Sequence, residues 1–145
     1  MSEQSGKRIV VGIDGSDGAS TALLWAAEEA RLRGAKLEVV HAWHPVAYAY
    51  PEAYMVNMPD LETAAKEMVT KTLEAHAHAL QGIEVVSTVL EGHAGKAIVD
   101  AAEGAEMMVV GSRGRSGVAS LLLGSVSTFC VHHAPGVVVV VPAGE

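Results

Sequence analysis

Met107-Met108-Val109-Val110-Gly111-Ser112-Arg113-Gly114-Arg115-Ser116-Gly117, continuing through Val118-Ala119-Ser120-Leu121-Leu122-Leu123 to Gly124-Ser125-Val126-Ser127, is an apolar run, a glycine-rich stretch and a place where a helix can begin. A loop between a strand and a helix can aim several backbone N–H groups at one point. The helix start adds its own free donors and the positive end of its dipole. That combination suits phosphate. Gly111, Gly114 and Gly124-Ser125 are spaced G-x2-G-x9-G-S. Lacking Cβ, these glycines let the backbone approach a ligand closely. The N–H groups of Ser125, Val126 and Ser127 would be the free donors, with hydroxyls adding further bonds. Arg113 and Arg115 can neutralise phosphate charge, and Gly117 gives the loop freedom. The competing reading is a long surface loop with ordinary turn glycines and arginines that face water.

Working outward, the same alternation recurs. Lys7 to Ile13 is a continuous β-branched run, as in a strand buried on both faces. Asp14-Gly15-Ser16-Asp17 breaks it, and a helix is expected from about Gly18 to Arg33. Leu23, Ala26, Ala27 and Ala30 share its inner face, Glu29 pairs with Arg33, and Gly34 stops it. Lys36 to Ala42 reads as the second strand. Asp60 is expected to cap a second helix to about Leu80, with Leu61, Ala64, Ala65, Met68, Thr72 and Ala79 inward and Gly82 closing it. Ile83 to Leu90 is the third strand, and Ala94 to Glu103 a third helix with Ala97, Ile98, Ala101 and Ala102 inward. Met107 to Val110 is the fourth strand, Ser125 to His133 the last helix and Val137 to Val141 the last strand.

Strands alternating with helices imply an α/β fold: an open five-stranded parallel sheet, Rossmann-like, with helices on both faces. Ligands in such sheets bind outside the carboxyl ends of the strands, where the winding reverses. The strongest turn chemistry follows the first strand, at Asp14-Gly15-Ser16, and the fourth, at Gly111. Placing those two side by side predicts the strand order 3-2-1-4-5.

The bulk properties narrow the function. A chain of 145 residues, half of them hydrophobic, is expected to form a single domain, with Met1 to Gly6 as a short disordered tail. A formal net charge of −7 disfavours nucleic acid and anionic membrane as partners. The single Cys130 excludes an intrachain disulfide and suits the cytoplasm. No apolar run approaches membrane-spanning length. Other phosphate motifs fail. Ahead of Gly95-Lys96, Leu90 stands where a P-loop needs its first glycine and Ala97 where it needs a hydroxyl. The stretch Gly12-Ile13-Asp14-Gly15 is no dinucleotide fingerprint.

Several residues have plainer readings. His76 and His78, two apart on a helix, point in different directions and make a poor metal pair. His132 and His133 sit near a helix end that favours positive charge. His41 ends a strand near the expected ligand slot but reads rather as a packed histidine, and Cys130 as a buried, inert thiol. Trp43 to Pro59 is irregular and rich in Tyr and Met, which suits a lid or an interaction segment as well as a flexible insertion. The five valines from Val137 would form an exposed edge, which pairing with a second copy would cover.

Val10-Val11-Gly12-Ile13-Asp14-Gly15-Ser16, Val39-Val40-His41-Ala42, Val109-Val110-Gly111-Ser112-Arg113-Gly114, Gly124-Ser125-Val126-Ser127 and Ala134-Pro135-Gly136-Val137-Val138-Val139-Val140 together resemble the universal stress protein family. The likeness runs from Arg8 to Pro142, and the intact G-x2-G-x9-G-[ST] element resembles its ATP-binding, UspA-type branch. The resemblance implies a cytoplasmic homodimer joined through the C-terminal strand, with the adenine nucleotide alpha hydrolase-like fold. It further implies binding of ATP with Mg²⁺ or Mn²⁺ and a link to stress. Carried over by position, Gly12, Ile13 and Asp14 would contact adenosine, Asp14 lying near ribose or a phosphate-bound metal. Ala42 would line the adenine slot, where the family commonly has Val. Val110 and Gly111 would flank the ribose, and Gly114, Gly124, Ser125, Val126 and Ser127 would hold phosphate. Alone, Asp14 also fits a helix-capping or turn role.

The leading expectation is therefore a regulatory ATP-binding module rather than an enzyme. The alternatives are a slow ATPase, a sensor of AMP or cyclic AMP, and a nucleotide-free dimeric scaffold. Arg113, Arg115 and Asp14 supply parts of a hydrolytic site, but no evident general base stands beside the loop. The intact glycine motif argues against the scaffold.

Overall fold

Runs of β-branched residues in this chain are too short and too apolar to stand alone, and they assemble into one sheet. The computed structural model describes residues 6–44, 58–112 and 123–142. The strands are β1 (Arg8–Gly12), β2 (Lys36–Trp43), β3 (Val85–Glu91), β4 (Met107–Gly111) and β5 (Val138–Val141). Every pairing is parallel, in the order β3-β2-β1-β4-β5. The order and the parallel sense are those expected from the sequence. The helices are α1 (Asp17–Arg33), α2 (Met58–Ala75), α3 (Ala94–Ala101) and α4 (Ser125–His133).

Strand alternation divides the core in two. Ile9, Val11, Leu37, Val39 and Val109 pack under α1 and α2 with Leu23, Ala26 and Val69. Val10, Val40, Met108 and Val110 face the other way, onto Ala97 and Ile98 of α3 and Cys130 of α4. The winding runs outward from β1 to β2 and β3, then returns to β4 beside β1. The reversal point therefore lies between the carboxyl ends of β1 and β4, and that crevice is where this architecture holds ligands.

Local chemistry sets the element ends. The Ser16 hydroxyl caps α1 by accepting from the Ala19 N–H, and Gly34, at φ 65°, ends it. Leu23, Ala26, Ala27 and Ala30 are buried as expected. Arg33 and Glu29 pair at 2.7 Å.

Three expectations need correction. The second helix begins at Met58, so Asp60 lies in its first turn rather than at its cap. It ends at Ala75, and residues 76–80 continue as turns. Its inner stripe includes Val69 and Leu73, while Ala64 is exposed. An Ala- and Thr-rich stripe carries little contrast between faces, so the larger Val69 and Leu73 set the helix rotation. The third helix is shorter than expected and is capped by His93, whose Nδ1 accepts from the Lys96 N–H at 3.1 Å. The last strand starts one residue later than expected, leaving Val137 58% exposed at the sheet edge. The tail up to residue 5 and most of the Trp43–Pro59 segment fall outside the described residues.

Candidate functional site

Beyond β1 the chain is fixed by its neighbour. The Ile13 N–H donates to the Val40 carbonyl at 3.0 Å, and the Ile13 carbonyl meets Nδ1 of His41 at 2.9 Å. Asp14 follows, and its Oδ1 accepts from the Ser16 N–H at 2.9 Å. Gly15 takes φ 85°, a conformation that side-chain-bearing residues rarely adopt. The Asp14-Gly15-Ser16 turn thus both caps α1 and presents a carboxylate at the end of β1. Asp14 itself takes the turn role, while the helix cap is Ser16.

Gly12 has a further requirement. A Cβ built on it would lie 2.9 Å from Cγ1 of Ile98 and closer still to Cδ1. The missing side chain lets α3 sit directly against the end of β1.

At the end of β4 the chain is pinned again. The Ser112 N–H donates to the Val141 carbonyl at 2.9 Å. The Ser112 carbonyl receives the Gly124 N–H at 2.6 Å and the Ser127 hydroxyl at 2.9 Å. Ser112, at the end of β4, is therefore held directly against the start of α4. Gly124 is the N-cap of α4 and supplies no capping side chain. The first N–H groups of a helix have no partner within it, and among the described residues no side chain caps those of α4. Ser125 is exposed, whereas Ser127 is 2% exposed.

These ends converge on a cavity of about 410 Å³, within the range that holds small ligands. Of the expected residues, Gly12, Ile13, Asp14, Ala42, Val110, Gly111, Gly124, Ser125, Val126 and Ser127 line it. Arg113, Gly114, Arg115 and Gly117 lie outside the described residues. The wall also includes Ser16, Ala19, His41, Trp43, His44, Ala94 and Ile98, which the sequence reading did not place there. Trp43 and His44 follow Ala42 directly, so extending the strand-end rule by two residues would have found them. Ala94 and Ile98 come from α3, and no local motif marks them.

Asp14 is the one carboxylate among these lining residues. No group of three His, Cys, Asp or Glu suited to a metal ion exists among the described residues. His76 instead turns Nδ1 to the Thr72 carbonyl at 2.9 Å. Cys130 is fully buried, and burial pushes its thiol up to about 11. The burial is that expected from the sequence. No helix among the described residues is long and apolar enough to cross a membrane.

Comparison with known proteins identifies the family. A profile described as the universal stress protein family matches residues 6–142, and the chain belongs to that family. A universal stress protein of Mycolicibacterium smegmatis is 34% identical over 92% of this chain and 47% of its own length. The chain thus spans about half of that relative. One from Thermus aquaticus, described as the universal stress protein in the QAH/OAS sulfhydrylase 3′ region, is 39% identical over 89% of this chain and 93% of its own. Among solved structures, a universal stress protein from Archaeoglobus fulgidus in complex with dAMP is 29% identical, with a TM-score of 0.68, covering 92% of this chain and 96% of that one. A universal stress protein in complex with cAMP is 26% identical, with a TM-score of 0.70, covering 95% and 98%.

Proposed function

We propose that this chain is a regulatory module that binds an adenine nucleotide, ATP carried with Mg²⁺ or Mn²⁺, in the crevice between β1 and β4. The observation that carries the proposal is the start of α4, which has no side-chain cap among the described residues and lines a cavity shared with the Asp14 turn. Free helical N–H groups and the helix dipole suit phosphate, and the apolar wall at Val110, Ile98 and Ala42 suits a flat base. The dAMP and cAMP complexes of the related proteins support the adenine nucleotide class.

In this proposal Ser125, Val126, Ser127 and Gly124 hold phosphate, joined by Gly114, Arg113 and Arg115 of the loop, with Gly117 giving it freedom. Gly111 and Val110 flank the ribose. Gly12, Ile13 and Ala42 meet adenosine. The metal travels with the phosphates, because Asp14 alone offers too few ligands for a protein-built site. Nucleotide-dependent change in the loop or in a homodimer joined along β5 would be the regulatory output, in the cytoplasm. Binding is favoured over turnover: hydrolysis needs a positioned water and a base, and Oδ1 of Asp14 is already engaged by the Ser16 N–H.

A monophosphate or cyclic nucleotide is the second reading, favoured by the ligands of the two related structures. One experiment separates the two. The purified protein is denatured and any released nucleotide identified by mass spectrometry. ATP supports the first reading, and AMP or cyclic AMP the second. No released nucleotide, together with no calorimetric binding of added nucleotide with Mg²⁺, rejects both.

A further inference from the structure

His41 of β2 stands in the cavity wall, and one of its two ring nitrogens has a partner among the described residues. The residue is 9% exposed. Nδ1 lies 2.9 Å from the Ile13 carbonyl oxygen, which can only accept, so Nδ1 carries a hydrogen and donates it. In the neutral ring that choice fixes the other nitrogen: Nε2 has a lone pair and no hydrogen. No bond to Nε2 is present among the described residues, and none of their side-chain nitrogens is both sealed from solvent and unpartnered. Nε2 is therefore open to solvent, and His41 lines the cavity.

The ring is also held rigidly. Ile13 is gripped twice by consecutive residues of β2: its N–H by the Val40 carbonyl and its carbonyl by the His41 ring. The same contact that fixes the tautomer fixes the turn leading to Asp14. An acceptor of set position beside a carboxylate-bearing turn has the character of a recognition element.

We propose that His41 selects the nucleoside by accepting a hydrogen bond at Nε2 from an N–H or O–H donor of the ligand, either the exocyclic amine of the base or a ribose hydroxyl. This rests on the nucleotide-binding proposal and adds a residue that discriminates among nucleotides. The Nδ1 bond to Ile13 supplies the discrimination, because it leaves Nε2 unable to donate while the ring is neutral. A ligand that brings an acceptor to that point leaves a buried lone pair unpaired and binds more weakly.

The test uses the full chain and His41→Asn. The asparagine amide nitrogen occupies the place of Nδ1 and keeps the donation to Ile13, but leaves nothing at the place of Nε2. Calorimetry compares ATP, 2′-deoxy-ATP, 3′-deoxy-ATP and inosine triphosphate on both proteins. His41→Asn is expected to bind ATP about tenfold more weakly. One analogue is expected to lose a similar factor on the wild type and nothing further on the variant, which identifies the donor as amine or hydroxyl. Equal affinity of both proteins for all four ligands overturns the inference while leaving the nucleotide proposal standing. Failure of the wild type to bind any of them removes both. Imidazole ¹⁵N spectra of the wild type guard against a variant that misfolds. Nε2 is expected unprotonated in the free protein and shifted at saturation with ATP, with Nδ1 unmoved. A protonated, neutral-ring Nε2, or one that ATP does not shift, overturns the inference.

Discussion

The hydroxyl of Ser127 donates to the carbonyl of Ser112 at 2.9 Å, a bond buried between the first turn of α4 and the end of β4. The same carbonyl receives the Gly124 N–H, so main-chain and side-chain donors together tie the start of α4 to the end of β4. Ser127 and Ser125, two residues apart on the same helix, therefore differ in role. One spends its hydrogen on the fold, and the other stands exposed at the mouth of the cavity.

Ser127→Ala leaves the Ser112 carbonyl with one donor fewer in a buried place. It is expected to lower stability by about 1–2 kcal/mol. Ser125→Ala removes only an exposed hydroxyl and is expected to stay within about 0.5 kcal/mol of the wild type. The order reverses in ligand binding, where Ser125→Ala is expected to weaken nucleotide affinity about tenfold. Urea unfolding and calorimetry on the two variants check the contrast. Equal stabilities would contradict the buried clasp.

Gly12→Ala tests the contact between β1 and α3. The new methyl overlaps Ile98, and the strain is expected to cost about 1–3 kcal/mol. Trimming the partner relieves it. The double variant with Ile98→Ala is expected to be more stable than the sum of the single losses predicts, by about 1 kcal/mol. Additive losses in a double-mutant cycle would show that Ile98 does not fill the space above Gly12.

The strand order was legible because two turns, Asp14-Gly15-Ser16 and the Gly111 loop, had to share one crevice, and only β1 beside β4 permits that. Ten lining residues followed from the same placement and from family resemblance. Other parts were not legible. The Gly12–Ile98 contact joins elements 86 positions apart, and no local pattern records it. The His93 cap hid because histidine is an uncommon N-cap. The rotation of α2 was misread at Ala64 because alanine is indifferent to exposure, whereas Val69 is not. Of the expected phosphate loop, Arg113, Gly114, Arg115 and Gly117 lie outside the described residues, and their roles rest on the motif.

Cys130 makes stability depend on alkali. Its thiol is raised by burial from 9.0 to about 11. The unfolded chain releases this proton above pH 9, while the folded chain holds it to about pH 11. Its stabilising effect is therefore complete below pH 9 and declines as pH rises toward 11, by up to about 1.4 kcal/mol per pH unit. Urea unfolding from pH 8 to 10.5 is expected to show a steeper fall for the wild type than for Cys130→Ala. Parallel curves would contradict a fully buried thiol.

The most direct measurement is a calorimetric titration of wild type and Gly124→Val with ATP and Mg²⁺, run beside their melting curves. Gly124 sits at φ −79° and ψ 179°, a conformation open to any residue. Valine there is therefore tolerated by the backbone and adds bulk at the start of α4. The expected result is saturable binding by the wild type, a loss of about a hundredfold or more in the variant, and closely similar melting temperatures. No binding by the wild type, or equal binding by both proteins, would contradict a phosphate site at the start of α4.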